Sequence, residues 1–164
     1  MYPHSSNLRL HRVKDIPSTF FITKCVWPRI PVLNPDLRSM VCRAFLFSAE
    51  SQRIVLRAFV VMPDHWHMLM GLLHDWTLPR FMHALMSHVG GQTHDEFTKQ
   101  HCAWQQGYFE TRLRSVKQLE YIARYIIDNP LRKGLVQNAE DWDASSLKYP
   151  SSITMPWPWR LEKD

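Results

Sequence analysis

Two histidines one residue apart, His65 and His67, sit in an otherwise apolar stretch. Val60, Val61 and Met62 precede them, and Met68, Leu69 and Met70 follow. Such a stretch predicts a buried strand. Alternate strand side chains face the same way, so both imidazoles share one face, about 6.6 Å apart at the backbone. Two imidazoles side by side in a core strand need a partner, and a metal ion is the natural one. Further along, Tyr125 and Asn129 stand four residues apart and share a helix face. A structural zinc site usually takes four ligands including thiolates, and no cysteine is near these histidines in the chain. Two imidazoles and a carboxamide oxygen instead leave half an octahedron open for water and substrate oxygens, which suits Mg²⁺ or Mn²⁺ acting on a phosphate. Such an ion polarises a non-bridging oxygen and orients a phosphodiester for in-line attack.

A phenol near cationic charge is favoured as phenolate and becomes a competent nucleophile. Attack by Tyr125 would join a 5′-phosphate to tyrosine and release a 3′-hydroxyl. That linkage retains the phosphodiester's free energy, so a 3′-hydroxyl attacking it in reverse rejoins strands without a nucleotide cofactor. Tyr121, one turn earlier, shares the face of Tyr125 and is the competing nucleophile; the spacing to Asn129 favours Tyr125.

These residues need elements to hold them. Thr19 to Val26 is short, apolar and aromatic-rich, and reads as a strand. Asn34 and Pro35 are a helix start, followed by Leu37, Met40, Val41, Ala44, Phe45 and Ser48 on one helical face. Ile54 to Pro63 and His65 to Leu73 read as two strands about a Pro63-Asp64 turn. The turn accounts for Asp64, although it could also orient a ligand imidazole. Thr77 caps a second helix through Phe81, Leu85 and Met86, with an expected interruption at Gly90-Gly91 before it resumes toward Phe97. Tyr108 to Leu113 is a further strand. Ser115 to Gln118 has the form of a capping box, opening a last helix with Leu119, Ile122, Ala123 and Ile126 inside, which Pro130 should end near Asn129. The expected fold is α+β: a ferredoxin-like βαββαβ unit with a four-stranded antiparallel sheet, plus an added C-terminal helix carrying Tyr125. Residues 1–16 are expected to be a basic arm, 17–149 the domain, and 150–164 an extended tail.

The chain has 164 residues, 45% of them hydrophobic and only 5 of them glycine, so a single globule with a real core is expected. A net charge of +5 suits a polyanionic partner without proving one. Cys25, Cys42 and Cys102 are scattered, with no Cys-x-x-Cys, which argues against a zinc ribbon or a disulfide framework. Free thiols, no signal pattern and no membrane-length apolar run lead to an expected cytoplasmic location.

Each signal also has an ordinary reading. Paired histidines can be core residues bonded to backbone or carboxylates, Tyr125 can be an interface aromatic, and Asn-Pro often just ends a helix. His83, His88, His94 and His101 are expected to be solvated or supporting residues rather than ligands. Arg112, Arg114, Arg124, Arg132 and Lys133 flank the proposed site and, with Arg12 and Lys14 of the arm, are candidate phosphate contacts. Trp157 and Trp159 are able to stack on unpaired bases or pack back onto the domain.

Met62-Pro63-Asp64-His65-Trp66-His67 resembles the His-hydrophobic-His motif of HUH endonucleases. Tyr125 to Val136, and Trp104-Gln105-Gln106-Gly107-Tyr108-Phe109 before it, resemble segments of REP-associated tyrosine transposases. The resemblance spans roughly residues 15 to 146 in the right order. It implies a single-tyrosine transposase acting on single-stranded DNA, often beside a hairpin. It also implies Tyr125 as nucleophile and His65, His67 and Asn129 as metal ligands. Trp66 is bulky for the middle position but faces away from the site. The expected partner is single-stranded or hairpin DNA, the protein a monomer or homodimer. A catalytically silent hairpin-binding module of the same fold is the alternative, and a small-substrate metal phosphoesterase a third reading.

Overall fold

The computed structural model describes residues 19–153. The arm with Arg12 and Lys14, and the tail beyond Ile153 with Trp157 and Trp159, lie outside the described residues. The order is β1 (Thr19–Trp27), α1 (Pro35–Glu50), β2 (Ile54–Val61), β3 (His65–Leu72), α2 (Leu78–Lys99), β4 (Ala103–Trp104), β5 (Phe109–Arg112), α3 (Val116–Ile127) and α4 (Asn129–Arg132). Three short 3-10 turns follow.

All pairings are antiparallel, in the order β2-β3-β1, with β4 and β5 both on β1. The α+β, ferredoxin-like plan therefore holds, but the sheet has five strands rather than four. The expected fourth position is shared: β4 pairs with Val26 and Trp27, β5 with Phe20 to Thr23. A two-residue strand has no periodicity to betray it. Lys24, buried from solvent, pins the joint by donating from Nζ to the Gln105 and Gly107 carbonyls at 2.5 and 2.6 Å.

Helix starts are set by side chains. Asn34 accepts from the Leu37 amide at 3.0 Å with Pro35 next, and Thr77 accepts from the Arg80 amide. Ser115 accepts from the Gln118 amide at 3.2 Å, while the Gln118 side chain accepts from the Arg114 amide at 2.8 Å. This is close to the expected capping box.

Three expectations need correction. Helix α2 runs unbroken through Gly90 and Gly91, because Leu85, Val89, Thr93 and Phe97 keep a buried stripe on both sides of the pair. Helix α3 stops at Ile127, near the expected end, but the chain does not leave helical structure there: Asn129–Arg132 form α4, with Pro130 in its first turn, where its missing N–H leaves no bond unmade. The first tail residues are not extended, since Pro150–Ser152 form a 3-10 turn and Ile153 packs on the core.

The core lies mainly between the sheet and α1 and α2. Trp66, Met68 and Met70 of β3 are completely buried there, with Phe45 of α1 set 5.1 Å from the Trp66 ring and 5.4 Å from that of Phe59. Full burial of one such side chain contributes roughly 1.5–3 kcal/mol. Helix α3 buries Leu119, Ala123, Ile126 and Ile127. The outer edge of β2 is covered by the segment after α4: the Val61 amide donates to Ala144 at 2.8 Å, and the Trp142 indole donates to the Val61 carbonyl at 3.0 Å. Capping that edge removes a template for unwanted strand pairing. Among the described residues no helix is long and apolar enough to cross a membrane.

Candidate active site

Register sets the site. Cys25 pairs with His65 and Thr23 with His67, so these four residues share the face of the sheet opposite Trp66. The two imidazole centroids are 4.7 Å apart, and both side chains are almost fully buried. Helix α3 brings Tyr125 to this face, its ring 5.6 Å from that of His67 and 6.1 Å from Phe21, which itself lies 5.3 Å from His67. Tyr125 is half-buried, whereas Tyr121 is 70% exposed. One turn of helix therefore separates a tyrosine against the histidines from one in solvent.

Each histidine is held through Nδ1. The Asp64 Oδ1 atom lies 2.6 Å from Nδ1 of His65, and its other oxygen accepts from Arg29 Nε at 2.8 Å. Arg29 also donates from Nη1 to the Cys25 sulfur at 3.1 Å, and its Nη2 lies 3.1 Å from His65 Nδ1. His67 Nδ1 is 2.7 Å from the Thr23 hydroxyl. With both Nδ1 atoms engaged, Nε2 is the nitrogen of each ring left for a ligand. Asp64 thus does more than form the turn. Arg29 and Thr23 escaped sequence reasoning, because neither lies in a motif and only the sheet register and the turn bring them in.

Burial first, then the charges of His65 and Arg29, depress His67 to about 3. It is neutral at pH 7, the form that ligates metals. Burial would raise Asp64, but hydrogen bonds from His65 and Arg29 outweigh this and hold it well below the usual carboxylate range.

Among the described residues no group of three or more His, Cys, Asp or Glu is placed to hold a metal. A third ligand drawn from the described residues to join His65 and His67 would then be of another type. Asn129, at the start of α4, is buried, and its Oδ1 has no hydrogen-bond partner among the described residues. A buried amide oxygen left unpaired costs about 1–3 kcal/mol. An orphaned neutral oxygen with a pair of imidazoles is a donor set that fits a hard divalent cation.

Of the candidate phosphate contacts, Arg132 stacks over the Tyr125 ring at 4.8 Å, and Lys133 is near enough to disfavour protonation of His67. Arg112, Arg114 and Arg124 are exposed on or beside β5 and α3. His83, His88, His94 and His101 are all exposed on or just after α2, with His88 bonded to Gln92 at 3.0 Å.

Comparison with known proteins places this geometry in a family. The family described as "Transposase IS200 like" matches residues 19–129, from the first residue of β1 to Asn129. A REP-associated tyrosine transposase of Escherichia coli (strain K12) is 26% identical over 146 residues, covering 87% of this chain and 82% of that protein. The solved structure of a REP-associated tyrosine transposase bound to a REP hairpin is similar in fold, with a TM-score of 0.66 at 23% identity over 85% of this chain and 84% of that one. A proposed transposase from Deinococcus radiodurans matches with a TM-score of 0.51 at 22% identity, over 66% and 87% of the two chains. With the family match running through β1, the histidine strand and the tyrosine helix, the chain belongs to the IS200-like transposases.

Proposed function

We propose that this transposase is a metal-dependent enzyme that nicks and rejoins single-stranded DNA through a covalent 5′-phosphotyrosine intermediate on Tyr125. One observation carries the proposal: β3 and α3 bring His65, His67 and Tyr125 onto one face of the sheet, and Asn129 starts the next helix with a buried, unpartnered oxygen. His65, His67 and Asn129 would hold Mg²⁺ or Mn²⁺, which when bound supplies positive charge against a non-bridging phosphate oxygen. The Tyr125 oxygen attacks phosphorus, the new P–O bond forms, and the bond to the 3′-oxygen breaks. The phenol proton is lost to solvent and the departing 3′-oxygen takes one up, so the step is balanced. A 3′-hydroxyl attacking the phosphotyrosine reverses these changes and restores the phenol.

Arg132 over the Tyr125 ring offers a cation where negative charge must gather during attack. Arg112, Arg114, Arg124 and Lys133 supply further positive charge for the DNA backbone. Hairpin DNA is the substrate form to test first, since a similar transposase has been solved with a REP hairpin.

The test is incubation with single-stranded hairpin DNA and Mn²⁺, followed by denaturing electrophoresis for a protein–DNA adduct. Tyr125→Phe should abolish the adduct, while Tyr121→Phe retains it. An adduct that survives Tyr125→Phe and disappears in Tyr121→Phe would move the nucleophile one turn along the helix. Cleavage without any adduct would replace the covalent route by hydrolysis.

A further inference from the structure

The two histidines are backed by chemically different groups. Thr23 offers His67 a hydroxyl, which both donates and accepts, so it tolerates either tautomer of that ring. The carboxylate of Asp64 accepts only, so it demands a proton on His65 Nδ1. The third group at that nitrogen, the Arg29 guanidinium with Nη2 at 3.1 Å, donates only. Two neighbours of opposite demand therefore compete for one ring nitrogen. The shorter contact, 2.6 Å, is the carboxylate's.

We infer that Asp64 and Arg29 form a tautomer lock: Asp64 keeps His65 in its Nδ1–H form with Nε2 bare, and without Asp64 the guanidinium of Arg29 drives the ring to the opposite tautomer. Asp64 and Arg29 are positioning residues, since they act through His65. The inference rests on the proposed metal site only for its consequence; the lock itself is a property of the metal-free protein. Loss of Asp64 then does more than loosen a ligand. It places a proton on Nε2, the nitrogen that must be bare to bind a cation.

The turn survives removal of the carboxylate, because its backbone is held independently. The Val26 amide donates to the Asp64 carbonyl at 2.9 Å, the Met62 amide to the His65 carbonyl at 2.8 Å, and the Leu33 amide to the Pro63 carbonyl at 2.9 Å. Arg29 likewise keeps an anchor, the Cys25 sulfur, when Asp64 is gone.

The experiment is nitrogen NMR of the metal-free full chain labelled at histidine, with the His65 signals assigned against His65→Gln, and Mn²⁺ affinity measured separately by EPR titration. His65 should carry its proton on Nδ1 in the parent protein and on Nε2 in Asp64→Ala. His67 should be unaltered by that change. Mn²⁺ affinity should fall about 10–100-fold in Asp64→Ala, the usual cost of losing a group behind a metal-ligating histidine. Arg29→Ala alone measures the gain from removing a positive charge near the metal. The double variant, freed of the competing donor, should recover more affinity than that charge effect explains.

A parent His65 protonated on Nε2 would overturn the lock. So would an Asp64→Ala variant that keeps Nδ1–H, or a double variant no better than the sum of its parts. If the tautomers change as expected but the parent binds no Mn²⁺, the lock stands and the metal site fails, so the two ideas are separable.

Discussion

Trp66 and His67 are neighbours in β3, yet they live in different surroundings. On one face Trp66, Met68 and Met70 have no solvent contact, and Trp66 lies edge-on to Phe45, which in turn meets Phe59. On the other, His65 and His67 are nearly as buried but carry polar partners on Nδ1, and a half-buried phenol stands beside them. The strand's two-residue period alone produces the difference. One face supplies cohesion, while the other spends burial on holding polar groups in position. A rigid, dry layer directly behind a site is what keeps its side chains in fixed geometry.

The contrast can be broken from either side. Trp66→Ala should cost about 3–5 kcal/mol of folding stability, read from denaturant melts, because it opens a cavity against Phe45. Tyr125→Phe, on the other face, should leave the melt nearly unchanged while abolishing the DNA adduct. His67→Gln should fall between them, losing about 1 kcal/mol with the Thr23 contact but losing Mn²⁺ binding by EPR titration. Should Trp66→Ala leave stability intact, or His67→Gln leave Mn²⁺ affinity intact, the division of labour across β3 would be wrong.

Acid sharpens the same comparison, since only the histidine face titrates. Folded His67 resists protonation until about pH 3, whereas an unfolded histidine takes up its proton near 6.5. Its contribution is therefore complete above about pH 6.5 and is lost as pH falls toward 3. Asp64, also depressed in the fold, adds loss in the same direction below the ordinary carboxylate range near 3.9. Stability should drop by on the order of 2 kcal/mol between pH 7 and 4.5 through His67. The check is urea melts across that range, in which His67→Gln should show a visibly flatter slope. Equal slopes would mean that His67 is protonated in the folded state at mild acidity.

Much of this was legible in the chain because period and spacing report local geometry. The alternation around His65 and His67 gave the shared face, and the Ser115 capping box and inner stripe placed the tyrosine helix. What escaped depends on long-range closure. Arg29 reaches His65 only because β1 lies beside β3 and the loop after it returns over the Pro63-Asp64 turn. Thr23 meets His67 only in the actual register. The brevity of β4 hid it, and Asn129 starts a new helix rather than ending an old one because Pro130 sits in the first turn of α4.

The misread helix break at Gly90-Gly91 carries its own lesson, and the smallest predicted effect. Glycine weakens an isolated helix by roughly 0.5–1 kcal/mol relative to alanine, which is why the pair reads as a boundary. In α2 the cost is overridden by the buried residues Leu85, Val89, Thr93 and Phe97 on either side. Neither glycine has a left-handed backbone or a neighbour within 4 Å of where a Cβ would lie, so nothing in the packing requires them. Gly90→Ala and Gly91→Ala should therefore each stabilise the protein by about 0.5–1 kcal/mol, with Mn²⁺ affinity and adduct formation unchanged. A destabilised alanine variant would mean that the helix bends at this point in solution, restoring the boundary that the glycine pair suggested. The measured sign thus decides whether α2 is one continuous helix or two jointed ones.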